Sequence, residues 1–263
     1  MDRTSDTFRQ VGVLTLALLA IAGAAVGSGA FGGTPIAEAA DGALSATATP
    51  VAPASTAFSI WSVIYLGLVV YAVWQLLPAQ RADARQRRMG WLAAGSMVLN
   101  AAWILVVQTG VLWLSVVVIA VLLAVLVRIL VVCLGTPPRS TLERVVVDGT
   151  FGLYLGWVTI ATIANVAATL KGAEVGELGL GATGWSVVLL VAAAVVGAAY
   201  AVFTGGRISI ALALAWGLAW VAVGRWSGET ENTTVAVTAA AAAVVTLGAA
   251  VIVALRRRTS ATT

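Results

Sequence analysis

Apolar runs long enough to cross a bilayer recur along this whole chain, and they leave few folds open to it. The hydrocarbon core of a membrane is about 30 Å thick, so a helix needs about 20 apolar residues to span it. Eight stretches approach that length: Val11–Phe31, Ala57–Leu77, Met89–Val107, Leu112–Leu134, Val145–Leu170, Trp185–Thr204, Ile208–Val223 and Val235–Leu255. The seventh is the shortest. Lipid offers no partner to backbone N–H and C=O groups, so each crossing segment must satisfy its own, as a helix does. The fold class expected is an all-α polytopic membrane protein of about eight transmembrane helices. Composition agrees, with 10% charged residues and a mean hydropathy of +1.00, against about a quarter charged in a soluble domain.

The charges then fix an orientation. With the N-terminus inside, the cytoplasmic segments carry Arg3, Arg9, Arg81, Arg85, Arg87, Arg88, Arg139, Arg144, Arg207, Arg256, Arg257 and Arg258. The outer loops carry only Lys171 and Arg225 as cations, with six acids: Glu38, Asp41, Glu174, Glu177, Glu229 and Glu231. Arg128 lies within the fourth span, about six residues from its cytoplasmic end. That is within reach of a snorkelling arginine. Every cytoplasmic segment contributes to the bias, so it supports the span count together with cytoplasmic N- and C-termini. An integral protein of a bacterial inner (plasma) membrane is expected. The basic balance, with a pI near 9.8, serves this asymmetry, and no nucleic-acid partner is expected.

Arg3 and Arg9 before an apolar run, with Ala37-Glu38-Ala39 after it, also resemble a signal peptide. A signal's apolar region is about 7–15 residues and this one is about 20, so the first span is expected to be retained. It contains Gly23, Gly27 and Ser28, small residues that permit close helix approach and are one sign of a dimer contact. The segments from Gly32 to Ser55 and from Gly172 to Gly184 read as outer loops. No internal repeat is evident.

The single cysteine, Cys133, and the absence of histidine remove the commonest metal ligands and the commonest general base. No catalytic residue, metal site or cofactor is expected. Asp148, near the start of the fifth span, is expected close to the surface.

Of ten tryptophans, Trp91, Trp113, Trp185 and Trp226 sit near span ends, where indoles anchor at the interface. Trp61, Trp74, Trp103, Trp157, Trp216 and Trp220 lie deeper. Asn100 and Asn165 lie inside spans, where an amide needs partners. An interhelical hydrogen bond is the simplest role for each. Spacing adds to this. Trp61 and Tyr65 are i,i+4, and Asn100 and Trp103 are i,i+3, so each pair shares a helix face. Tyr154, Trp157, Ala161 and Asn165 follow the helical period down the fifth span. Three helices thus each present an aromatic and polar stripe. Converging, they would suit a planar, mostly apolar ligand.

Three segments carry a family resemblance. Phe58-Ser59-Ile60-Trp61-Ser62-Val63-Ile64-Tyr65-Leu66-Gly67 resembles the second-helix pattern of the TspO/MBR family, the translocator or tryptophan-rich sensory proteins. Leu99-Asn100-Ala101-Ala102-Trp103 resembles its third-helix L-N-x-x-W, and Tyr154 to Asn165 its fifth-helix Y-L-x-W-[VT]-x-x-A-T-x-x-N. The resemblance covers residues 10–171. It implies a TspO-like five-helix domain over 1–171, followed by a three-helix C-terminal extension over 172–263. It also implies a bundle that often dimerises and that binds tetrapyrroles, sterols or drug-like molecules. The ligand-binding residues it points to are Trp61, Tyr65, Asn100, Trp103, Trp157 and Asn165. A tetrapyrrole would be a ligand rather than a cofactor. The loop before the second helix keeps Pro50 and Pro53 but lacks the family's tryptophans. Lys171 lies beyond reach of Tyr154 for the family's sterol motif.

The function expected is a membrane-embedded ligand-binding and sensory protein that takes a porphyrin or another planar hydrophobic molecule. A small-molecule transporter and a scaffold without a small-molecule ligand are the alternatives.

Overall fold

A computed structural model describes residues 3–27, 34–36, 38–177, 179–227 and 230–260. Ser28, Ala37 and Glu229, together with the last residues of the first apolar run, lie outside them. Eight helices are long and apolar enough to span a bilayer. They are α1 (Arg3–Gly27), α2 (Ile60–Trp74, which spans together with the short turn Ser55–Ser59 before it), α3 (Ala84–Gln108), α4 (Leu112–Gly135), α5 (Thr150–Gly172, which spans together with the turns that lead into it from Thr141), α6 (Gly181–Thr204), α7 (Ile208–Trp226) and α8 (Thr233–Ser260). No strand occurs among the described residues.

Hydropathy finds these helices but not all of their ends. α3 starts at Ala84, five residues before the apolar run that begins at Met89, because the Asp83 carboxylate accepts the Gln86 N–H at 2.8 Å and caps it. Such a cap starts a helix whatever the polarity of its first turn. The segment leading into α5 begins with a short turn, Thr141–Glu143, capped by Ser140. A π-helical stretch, Arg144–Gly149, follows.

The chain forms two compact units: Met1–Ala40 with Ile60–Phe151, and Asp41–Ser59 with Gly152–Thr263. These are not the two segments expected from the resemblance, whose boundary lies at Lys171. The division falls near the start of α5, and the α1–α2 loop packs with the later helices.

In the first unit, α1 lies along α3 with its glycines inward. A Cβ on Gly12 would come within 2.6 Å of the Trp91 ring, and one on Gly27 within 2.6 Å of Ile104. Gly23 faces Ala101. The small-residue face that suggests a dimer contact in the sequence is therefore used within the chain, by helix–helix packing.

The end of this unit that carries the arginines is held by buried polar groups. Asp6 takes both Nε and Nη2 of Arg87. Arg9, 1% exposed, donates to the carbonyls of Gln80 and Arg81. Gln10 and Gln75 each donate to the other's main-chain carbonyl. Arg85 bonds Glu143 at 3.1 Å and Asp148 at 2.7 Å. Asp148, expected near the membrane surface from its place in the span, is a buried ion-pair partner. The π-turn explains the double grip. Residues five apart point to different sides of an α-helix but stack in a π-turn. Glu143 and Asp148 are five apart across that turn.

In the second unit, α5 and α7 touch through glycine. A Cβ on Gly156 would lie 2.2 Å from the Ile210 carbonyl oxygen, and one on Gly217 would lie 2.6 Å from Ile160 Cγ2. α8 packs on α6 and α7. The tight α6–α7 turn uses Gly205 and Gly206 at φ of 71° and 80°. That left-handed backbone suits glycine. The loop is tied down from α5 and α7. Ala54 N–H bonds the Trp220 carbonyl, Trp216 Nε1–H bonds the Ala57 carbonyl, and Lys171 Nζ bonds the Ala48 carbonyl.

Burial sorts the tryptophans. Trp91, Trp113, Trp185 and Trp226 are exposed on the chain, while Trp74, Trp103 and Trp157 are buried. Trp216 lies within a span, as the sequence places it, and is exposed on the chain. Arg128 is exposed as well.

Candidate aromatic ligand site

Of the six residues read as ligand-binding, four stand in the first unit. Trp61 and Tyr65 are one turn apart on α2, and their rings stack at 5.2 Å with planes 21° apart. Both are half-buried. From α3, Asn100 donates Nδ2–H to the Tyr65 hydroxyl at 2.8 Å. Asn100 is buried, so this interhelical bond answers the sequence's question of how a mid-span amide is satisfied. Trp103, one turn further along α3, is also buried.

The other two stand in the second unit, on α5. Trp157 is 1% exposed and meets Phe58 edge-on, centroids 5.7 Å apart. That geometry favours aromatic pairs, because the positive ring edge meets the negative face. Asn165 is buried and donates to Thr169 Oγ1 at 3.4 Å, within its own helix. Tyr154 is fully buried on the same helix. Phe58 opens the second-helix motif yet escapes selection by residue type. Its partner lies about a hundred residues away, and no local spacing reveals that.

The first-unit group makes a testable statement about stability. Tyr65→Phe keeps the stacking surface but removes the acceptor from a buried amide. A loss of about 1–3 kcal/mol is expected, measured by denaturant unfolding in micelles. Trp61→Phe, which leaves the bond intact, is expected to cost less.

A separate space lies wholly within the second unit. This cavity of about 680 Å³ is bounded by residues 47–51, the far ends of α5 and α7, the start of α6 and residues 230–232. None of the six residues lines it. Two cations do, Lys171 and Arg225. In the sequence Arg225 counts only as an orientation charge, and Lys171 also as the residue that fails a sterol motif. Among the described residues, no three His, Cys, Asp or Glu side chains gather as metal ligands would. What both places offer is aromatic surface and hydrogen bonds.

Eight spanning helices with tryptophans at their ends and buried amides within them define an integral membrane protein of the all-helical class. The sequence model of the TSPO-like protein family matches residues 12–252, and the chain belongs to that family. The last of the three recognisable motifs ends at Asn165, and the match continues well past it and past residue 171, where the resemblance read from the sequence stops. Comparison with curated proteins and with solved structures returns no match.

Proposed function

We propose that this is a membrane-embedded ligand-binding and sensory protein of tryptophan-rich TspO type. Its ligand would be a porphyrin or another planar hydrophobic molecule. The observation that carries the reading is the Trp61–Tyr65 stack with Asn100 bonded to its phenol. It offers a flat aromatic surface beside groups that can bond a polar edge. Planar ligands gain from aromatic faces in this way, and a few fixed polar groups set their orientation. Trp103 completes the set within the first unit, and Trp157 and Asn165, to which the resemblance also points, belong to the second. The chemistry is recognition, not catalysis, and a tetrapyrrole would be ligand rather than cofactor. We infer a bacterial inner membrane, with both termini in the cytoplasm, from the arginine distribution.

The test uses the full chain in lipid vesicles with protoporphyrin. Trp157→Ala is expected to weaken binding about threefold to tenfold, the worth of one aromatic contact, without changing membrane insertion. Unchanged affinity would remove Trp157 from the site. Protein-dependent protoporphyrin flux across the vesicles would turn the reading to a transporter.

A further inference from the structure

The cavity of the second unit has a chemistry of its own. Its walls are mostly apolar, with Val51, Val166, Leu170 and Leu189 among them. Trp185 adds a ring surface, held by its Nε1–H on the Glu177 carbonyl at 2.8 Å. Lys171 and Arg225 are the cations of the lining. Arg225 is 2% exposed, a position in which a charge is costly unless it is paired. Yet among the described residues no ion pair involves either Arg225 or Lys171. Both donate only to neutral main-chain carbonyls. Arg225 reaches those of Ala46, Ala52 and Thr230, and Lys171 that of Ala48. Beside them the buried Thr49 Oγ1 and Arg225 Nε have no hydrogen-bond partner among the described residues.

Carbonyls are modest partners for a buried guanidinium. A carboxylate makes a charge-assisted bond roughly twice as strong. The loop carbonyls therefore hold places that an anion would take on better terms. The lining also includes three acids, Glu174, Glu177 and Glu231, all exposed. Three like charges on the surface oppose a multiply charged anion more strongly than a singly charged one. They also leave the buried cation as the preferred place for the single charge.

We infer that this cavity is a binding site for an apolar monocarboxylate. Its hydrocarbon or aromatic body would lie against Trp185, Val166 and Leu189, and its carboxylate would lie toward Lys171 and Arg225. The site shares no residue with the six proposed for the planar ligand, so the two stand or fall separately.

Equilibrium dialysis of 2-naphthaleneacetate, and of its neutral isostere 2-naphthaleneacetamide, tests this on the full chain in nanodiscs, against empty nanodiscs. The acid is expected to bind saturably and about tenfold more tightly than the amide, the worth of one charge-assisted bond. Lys171→Gln, at an exposed position, is expected to weaken the acid at least threefold and leave the amide unchanged. Ala167→Phe, which fills the cavity, is expected to remove both. Should that variant fail to assemble, the Lys171→Gln affinities decide. Equal affinities for acid and amide, binding that survives a folded Ala167→Phe, or no saturable binding by the acid would each overturn the proposal.

Discussion

Arg85→Ala is expected to cost this protein about 3–5 kcal/mol of stability, a large fraction of the roughly 5–15 kcal/mol of a typical domain. Arg85 is 3% exposed and holds two carboxylates, Glu143 and Asp148, which are nearly as buried. Removing the cation takes the ion-pair partner from Asp148 and leaves Glu143 with Arg139, whose backbone N–H lies at 2.9 Å and whose Nε lies at 3.7 Å, in a place that water reaches poorly. The cost comes from stranding the partners, not from the worth of the pair itself. A triple variant with Arg85→Met, Glu143→Leu and Asp148→Leu is therefore expected to recover most of the loss. Denaturant unfolding in micelles measures both. If Arg85→Ala unfolds like the wild type, the ion pairs do not hold the first unit together.

Gly156→Ala is the second large effect. The added Cβ would sit 2.2 Å from the Ile210 carbonyl oxygen and 3.0 Å from the Leu214 backbone nitrogen. Neither atom belongs to a side chain that can rotate aside, so α5 and α7 must part. Overpacking of this kind costs about 1–3 kcal/mol. Gly152 makes the internal control. Its Cβ would meet the Ser209 side chain, whose hydroxyl lies 2.1 Å away. Turning or trimming that side chain relieves part of the clash. Gly152→Ala is expected to be the milder change, and milder still combined with Ser209→Ala. Gly95→Ala, where nothing lies within 4 Å of the new atom, is expected to be neutral. Thermal unfolding of the four variants ranks them. Equal losses at Gly156 and Gly95 would show that α5 and α7 do not touch through glycine.

The spans are legible in the sequence because one physical requirement dominates them. A helix that crosses lipid must be predominantly apolar over about 20 residues, and α4, from Leu112 to Gly135, needs no other clue. Where other forces act, hydropathy is blind. The first turns of α3 are polar, so the helix is found there only through its Asp83 cap. Arg85 looks like any other cytoplasmic arginine, since charge counting treats a solvated cation and a paired one alike. Glu143 and Asp148 do not share a face at α-helical spacing, and only the π-turn lets one arginine serve both. The Trp61–Tyr65 stack is legible as i,i+4. The bond from Asn100 is not, because it joins residues 35 apart in sequence. The 680 Å³ cavity is hidden for the same reason, being built from separate stretches that are unremarkable alone. The recognisable motifs end with α5, while the family match runs on to residue 252.

The most direct test of the proposed function is a protoporphyrin titration of the purified full chain in detergent, read by tryptophan quenching, with Asn100→Ala and Trp157→Phe beside the wild type. Saturable binding, weakened by either substitution, is the result this account predicts. No saturable binding, or saturable binding that neither substitution changes, would contradict it.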